Sequence, residues 1–472
     1  MKRAVLALLL LAAPATAQPS LQQQVEARLA LAGPGVRFGL VVADAAGREL
    51  LAIAPEGRFM PASNTKIFTT AAAFATLPAL DQPDSVGGAS VWLAGSAAEP
   101  DVVLEGHGDA RLSSASDCVT DCLSALADAV AGKTRRVHDV IGDDSALADE
   151  RWSPGMSWNN IPSGSGTAVS ALTADDNVLT LRILPGPAGS APKLEGLAYY
   201  QVENRALTVA DGATSLDFSR LPGSRTLVLT GTIRADATLQ TLVLAIDEPA
   251  YYAAWRLRAL LQARGVTVTG ATIARHAPPG SGVFSSGIVK TVAALARLTP
   301  PPLSENLKRI NKESQNLHAE LILRRIGAQA GDGSIAGGLK AVAAMLAGAG
   351  VPRTAWDLSD GSGMSSYNRV APRGVVALLR WIAAQPWGAA WRATLPVGGV
   401  DGTLARRFKG TALEGRIFAK TGTLNGTNAL AGWVTTASGR SLAFAFYAND
   451  VPEGVKATEA MDSALLMVAQ AD

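Results

Sequence analysis

The sequence predicts a mixed α/β chain of the α+β class in two parts. One part is a five-stranded antiparallel sheet flanked by helices and built from both ends of the chain; the other is a large strand-rich insertion between them. Three observations carry this. Two strand candidates near the start (36–42, 49–53) and three near the end (417–420, 429–434, 441–447) each lie beside terminal helical segments. The stretch between about 85 and 285 changes character to short strands separated by turns. Finally, 472 residues are too many for one ordinary core.

In chain order, Lys2 and Arg3 precede an apolar run, Ala4 to Ala13, and the small-residue pattern Ala15-Thr16-Ala17. This reads as a secretory signal peptide over 1–17, too short for a bilayer span, and predicts export to the periplasm. Residues 20–31 read as an amphipathic helix. The strands 36–42 and 49–53 follow, joined by the turn at Asp44 to Gly47. A helix starting after Pro61 carries Ile67, Phe68, Ala71, Ala72 and Phe74, apolar nearly all round, so it belongs at the centre of a domain. The insertion then offers strands at 90–93, 101–104, 136–141, 178–184, 226–233 and 241–246, with helices near 117–131 and 249–264. Gly280-Ser-Gly282 reads as its exit linker. The domain boundaries drawn are therefore 18–84 plus 286–472 for the main domain and 85–285 for the insertion. Helices at 303–310, 316–328, 335–348 and 372–384 lead to the last three strands and a closing helix over 454–470.

The balance of 42 basic and 40 acidic residues gives a net charge of +2, with no basic field for nucleic acid or an anionic membrane. No later stretch has the roughly 20 apolar residues of a transmembrane segment. The four histidines are scattered without ligand spacing, so neither a metal nor another cofactor is expected. Cys118 and Cys122 allow a local disulfide, which requires a turn between them.

The chemistry lies in three short motifs. Ser63 and Lys66 are three residues apart, so the Ser63 hydroxyl and the Lys66 amine share a helix face. That is a serine nucleophile with its own amine base. On these residues alone, a helix N-cap serine followed by a solvated lysine is the plainer reading. Lys420-Thr421-Gly422-Thr423 ends a strand candidate. Its lysine offers a positive charge to a substrate carboxylate, Thr421 and Thr423 offer hydroxyls, and Gly422 allows close approach. The Thr423 N–H can join that of Ser63 as an oxyanion hole. A Ser-x-Asn completes the set, and three fit: Ser314/Asn316, Ser366/Asn368 and Ser157/Asn159. This order of motifs is shared by class A β-lactamases and penicillin-binding proteins.

Longer segments narrow the choice. They are Thr299-Pro-Pro-Pro-Leu-Ser-Glu-Asn-Leu-Lys-Arg-Ile-Asn-Lys-Glu-Ser-Gln-Asn-Leu-His-Ala-Glu320, Asp360-Gly-Ser-Gly-Met-Ser365, Pro396-Val-Gly-Gly-Val-Asp-Gly-Thr-Leu404 and Ala419-Lys-Thr-Gly-Thr-Leu424. With Gly142-Asp-Asp-Ser145 in the insertion, they resemble the D-Ala-D-Ala carboxypeptidase/endopeptidase family, peptidase family S13, of penicillin-binding protein 4-like enzymes. The resemblance covers nearly the whole chain past residue 17. It implies a transpeptidase/β-lactamase-like main domain with one or two smaller inserted domains, and it selects Ser314 and Asn316. It also implies cleavage of peptidoglycan stem peptides ending in D-Ala-D-Ala through a Ser63 acyl-enzyme, and covalent inhibition by β-lactam antibiotics. Lys66 is then the base, Ser314 a proton relay, Asn316 a hold on the substrate amide, and Lys420, Thr421, Gly422 and Thr423 the carboxylate side of the cleft. Burial and the Lys420 charge are both expected to lower the Lys66 pKa. Asp143 is the expected contact for the free amine of a diaminopimelate-type side chain. The rival enzyme is a β-lactamase or esterase using the same dyad, which needs a glutamate placed for fast deacylation; the sequence identifies none. A catalytically idle antibiotic sensor is the non-enzyme rival, and such sensors signal through a membrane helix.

Overall fold

The computed structural model describes residues 19–196, 198–276 and 293–471. The expected signal peptide over 1–17, the expected linker Gly280–Gly282 and the expected boundary at 285/286 lie outside them.

The main sheet is assembled from the two ends of the chain. Its strands are β1 (Arg37–Ala43), β2 (Glu49–Ile53), β3 (Ile417–Leu424), β4 (Thr427–Thr435) and β5 (Ser441–Asn449), in the order β3-β4-β5-β1-β2. Every pairing is antiparallel, and β1 meets β5 in the register Arg37 with Asn449 through Ala43 with Ala443. Both faces are covered, which is why β1 and β5 are runs of buried residues rather than alternating ones. The period of two persists in which core each residue enters. Leu40, Val42, Phe444 and Phe446 pack toward α1 (Leu21–Ala30) and the closing helix Ala457–Gln470. Val41, Ala43, Ala445 and Tyr447 pack toward α2 (Thr65–Thr76) and its neighbours. Ser20 caps α1 through a capping box with Gln23.

Residues Thr65 to Ala73 of α2 are all buried, as the apolar circumference predicts. Against it pack α3 (Leu303–Lys312), α4 (Asn316–Ala328) and α5 (Ile335–Gly348). Behind Lys66, a buried polar network ties α2 in place. The Asn311 amide donates to Thr70 Oγ1 (3.3 Å) and Thr394 Oγ1 (2.7 Å), the Trp391 indole donates to Thr70 Oγ1 (3.0 Å), and Thr70 Oγ1 donates to the Lys66 carbonyl (2.7 Å).

Between the two halves lie several small sheets. A five-stranded mixed sheet runs in the order Thr272–Arg275, Val140–Asp143, Pro100–Glu105, Ser90–Gly95, Ala296–Arg297. Helices Leu123–Lys133 and Pro249–Ala263 pack with it. A four-stranded and a three-stranded sheet fill 178–245. Three expectations are corrected here. The 136–141 strand is two, Arg136–Val137 and Val140–Asp143, which pair in different sheets. The 117–131 helix begins only at Leu123, because a Cys118–Cys122 disulfide closes a turn over the preceding residues. And β3 does not end at Lys420 but continues to Leu424, so the Lys-Thr-Gly-Thr motif is inside a strand at the sheet's edge.

Candidate active site

Ser63 sits in a single 3-10 turn, Ala62–Asn64, that leads directly into α2, so Lys66 follows one turn later. Lys66 Nζ donates to Ser63 Oγ (2.9 Å), Asn316 Oδ1 (2.6 Å) and the Ser362 carbonyl (2.6 Å). Its three donor positions are therefore all used, and Ser63 Oγ is one of its acceptors. Ser63 itself keeps part of its surface exposed, whereas Lys66 is fully buried.

Burial in this apolar setting pulls the Lys66 pKa down to about 7; the negative charges of Asp360 and Glu320 pull it back up but do not cancel the desolvation. The expected contribution from Lys420 is replaced by these two carboxylates. Lys420 is the group that answers to its neighbour: burial, then the Lys66 charge, hold it well below the usual lysine range.

Lys420 Nζ donates to Ser314 Oγ (2.9 Å) and the Thr421 carbonyl (2.9 Å). Ser314 is in the short link between α3 and α4 with φ +64, a left-handed conformation that aims its hydroxyl at β3. Asn316 opens α4. The two lysines thus hold the two polar ends of the Ser-x-Asn: Lys66 takes Asn316, and Lys420 takes Ser314. The other Ser-x-Asn matches are elsewhere. Asn368 is buried on Asp360 and Ser366 donates to the Gly155 carbonyl, while Ser157 bonds Asn159 at an exposed turn.

Strand β3 lies against the Ser63 turn. A Cβ on Gly422 would stand 2.5 Å from the Pro61 carbonyl oxygen and 3.2 Å from the Asn64 nitrogen, so only glycine permits this approach. Asn64 Nδ2 fastens the contact by donating to the Lys420 carbonyl (2.8 Å). Because Lys420 is fully buried, the groups at the motif end of β3 that reach the surface are Thr421, Thr423 and Leu424. Thr421 Oγ1 is 2.7 Å from Thr403 Oγ1, so two hydroxyls stand side by side where the sequence offered the lysine charge.

The segment Asp360–Ser365 closes the back of the site. Asp360 accepts from the Gly363 and Ser365 backbone N–H groups and from Asn368, and Ser362 presents its carbonyl to Lys66. From the insertion, the Ser165 carbonyl accepts from Asn316 Nδ2 (2.8 Å), and the Pro154 and Gly155 carbonyls accept from the Ser365 and Ser366 hydroxyls. Asp143 is not drawn into this cluster. It is buried at the end of its strand, where its carboxylate accepts from Ser145 Oγ (2.6 Å) and pairs with Arg275 (3.1 Å).

Sequence reading missed Glu320, Ser165, Thr403 and Asn64. Glu320 carried a usable signal, since it follows Asn316 by four residues and so shares its helix face. Ser165 had none, because its contribution is a main-chain oxygen.

A model of the D-Ala-D-Ala carboxypeptidase 3 (S13) family matches residues 21–470. A D-alanyl-D-alanine carboxypeptidase of Actinomadura sp. strain R39 is 36% identical over 438 residues, 88% of this chain and 78% of that one. Carboxypeptidase DacB of Mycolicibacterium smegmatis is 28% identical over 471 residues, 96% and 85% of the two chains. In structure, penicillin-binding protein 4 (dacB) from Haemophilus influenzae superposes with a TM-score of 0.78 at 22% identity, covering 94% of this chain and 97% of that one. The same protein complexed with a β-lactam gives 0.73 at 21%. Among the described residues, no helix is long and apolar enough to cross a membrane. With a family match spanning almost every described residue, and three motifs shared between the edge strand of a five-stranded sheet and the helices packed on it, the chain belongs to the D-Ala-D-Ala carboxypeptidase (S13) family of serine peptidases.

Proposed function

We propose that this enzyme removes the terminal D-Ala from peptidoglycan stem peptides, and cleaves D-Ala-linked cross-bridges, through an acyl-enzyme on Ser63. The observation that carries the proposal is the position of Lys66 Nζ between Ser63 Oγ and Asn316 Oδ1, in a buried setting that brings the amine's pKa to about 7. A neutral Lys66 takes the Ser63 proton as Oγ attacks the penultimate D-Ala carbonyl. The backbone N–H groups of Ser63 and Thr423 are the donors assigned to the oxyanion. Ser314 Oγ, which Lys420 holds in place, relays a proton to the leaving amine, giving up its own and recovering the one that Lys66 took from Ser63. The terminal carboxylate is assigned to the Thr421 and Thr403 hydroxyls, with Lys420 behind them. Water then releases the acyl group.

A β-lactam enters the same path, but its ring-opened amine stays tethered and obstructs that water, so acylation persists. The test is direct: the purified enzyme should release D-Ala from a pentapeptide ending in D-Ala-D-Ala, and mass spectrometry should find one long-lived penicilloyl adduct per chain. Rapid catalytic turnover of the penicillin would instead establish the β-lactamase reading.

Asp143 remains our candidate for the diaminopimelate amine, which would exchange with the part-exposed Arg275 guanidinium as its ion-pair partner. Asp143→Ala should lower the preference for diaminopimelate-containing over lysine-free peptides by about tenfold, on the scale of one charged hydrogen bond. Equal relative efficiency, measured as the ratio of kcat/KM values, would remove Asp143 from the substrate site.

A further inference from the structure

Glu320 is nearly fully buried on α4, one turn beyond Asn316, and none of the chemistry above uses it. Its Oε1 accepts two backbone N–H groups, from Gly361 (3.0 Å) and Ser362 (2.9 Å). The carbonyl of that same Ser362 is the one to which Lys66 Nζ donates. The other oxygen, Oε2, is buried without a hydrogen-bond partner among the described residues. A carboxylate buried with one oxygen unsatisfied is costly, and a glutamine could supply the Oε1 acceptor without any charge.

We propose that Glu320 is a positioning residue for Lys66. It fixes, through the Ser362 peptide, the carbonyl that holds the lysine amine, and it supplies a buried negative charge that faces that amine. The inference rests on the reading of Ser63 and Lys66 as nucleophile and base.

The groups around Glu320 are few. Lys66 faces it from α2 and Asp360 from the closing segment. Arg324 lies one turn further along α4, pairs with Glu150 of the insertion and also sees Asp332. Arg151 lines the same small cavity as Glu320, with Ser165 and Asn316. Lys420 feels Lys66 in turn. Burial, then the Asp360 charge, push the Glu320 carboxyl up to about 7, while Arg324 and the side chain and backbone of Ser362 oppose them. Burial thus displaces both groups toward neutrality, the Lys66 amine downward and the Glu320 carboxyl upward.

The sign follows from the charges. A negative Glu320 favours protonated Lys66, so removing the charge should free the amine at lower pH. In Glu320→Gln, the acid limb of β-lactam acylation should move to lower pH by roughly one unit, with a plateau within about threefold of the parent. Glu320→Asp keeps the charge but shortens the reach to the two N–H groups. Its limb should stay in place while the plateau falls about tenfold. A residue that only held the segment together through Oε1 would leave the limb of the Gln variant unmoved, and that result overturns the proposal. If the Gln variant does not fold, the Asp variant decides: a displaced limb overturns the proposal, and an unmoved limb with a lowered plateau supports it. A limb that survives in Lys66→Ala would instead refute the base assignment, an outcome separable from failure at Glu320.

Discussion

Ser63→Ala is expected to abolish covalent labelling by a fluorescent penicillin and to reduce D-Ala release by roughly 10,000-fold or more, as loss of a serine nucleophile does elsewhere. Lys66→Ala should slow acylation on the order of 1,000-fold, the middle of the range for a lost general base. Ser63 is part exposed, whereas Lys66 is fully buried and its truncation leaves Asn316 Oδ1 and the Ser362 carbonyl without their donor, so melting temperature serves as the control. The parent enzyme should show the pH signature of Lys66. The amine is mostly protonated below about 7, so acylation should fall about tenfold for each further unit of acidity and level off above that range. Stopped-flow acylation across pH 5 to 9 reads this. Persistent labelling of the Ser63 variant would sink the nucleophile assignment.

Gly363→Ala should be damaging although it removes no catalytic side chain. Gly363 has φ +91, a conformation alanine resists, and its added Cβ would stand 1.9 Å from the Ala62 carbonyl oxygen and 2.9 Å from the Ser63 nitrogen. Backbone atoms cannot swing aside as a flexible side chain can. Either the closing segment retreats, taking the Ser362 carbonyl off Lys66, or the Ser63 turn shifts. Steric and conformational strain together should cost about 3 kcal/mol of stability or more. Acylation should fall about 100-fold, the scale set by a displacement of about 1 Å at a reacting centre. Calorimetry and acylation kinetics on the same preparation test both; an unchanged melting temperature with normal acylation would show that the contact at Ala62 is not tight.

The elements that packing decides were legible in the sequence. Strands β1, β4 and β5 and helix α2 announce themselves as apolar runs because both their faces are covered, and the Ser63–Lys66 pair is local geometry on one helical turn. What stayed hidden depends on distant partners. Strands such as Gln201–Asn204 and Ser215–Ser219 are short and half exposed, so their residues carry little apolar pattern. The helix near 117 was drawn too long because a disulfide-closed turn over Cys118–Cys122 overrides helix propensity. At the site, Lys420 reads as a solvent-facing charge in a four-residue motif, and only the fold reveals that it is buried on Ser314. Ser165 enters through a carbonyl that every residue type possesses.

The main sheet joins positions near opposite ends of the polypeptide, with Arg37 beside Asn449 and Ser63 against a strand that begins at Ile417. A growing or partly threaded chain can form α2 early, but its serine then has no Lys420, no Thr423 and no closed sheet behind it. Such long-range closure is among the slow steps of folding, because loop entropy is spent before the contacts repay it. Chemical competence therefore arrives last, once the final hairpin docks on the first strand. Incomplete chains remain blind to both substrate and antibiotic, and penicillin reactivity doubles as a reporter of completed assembly.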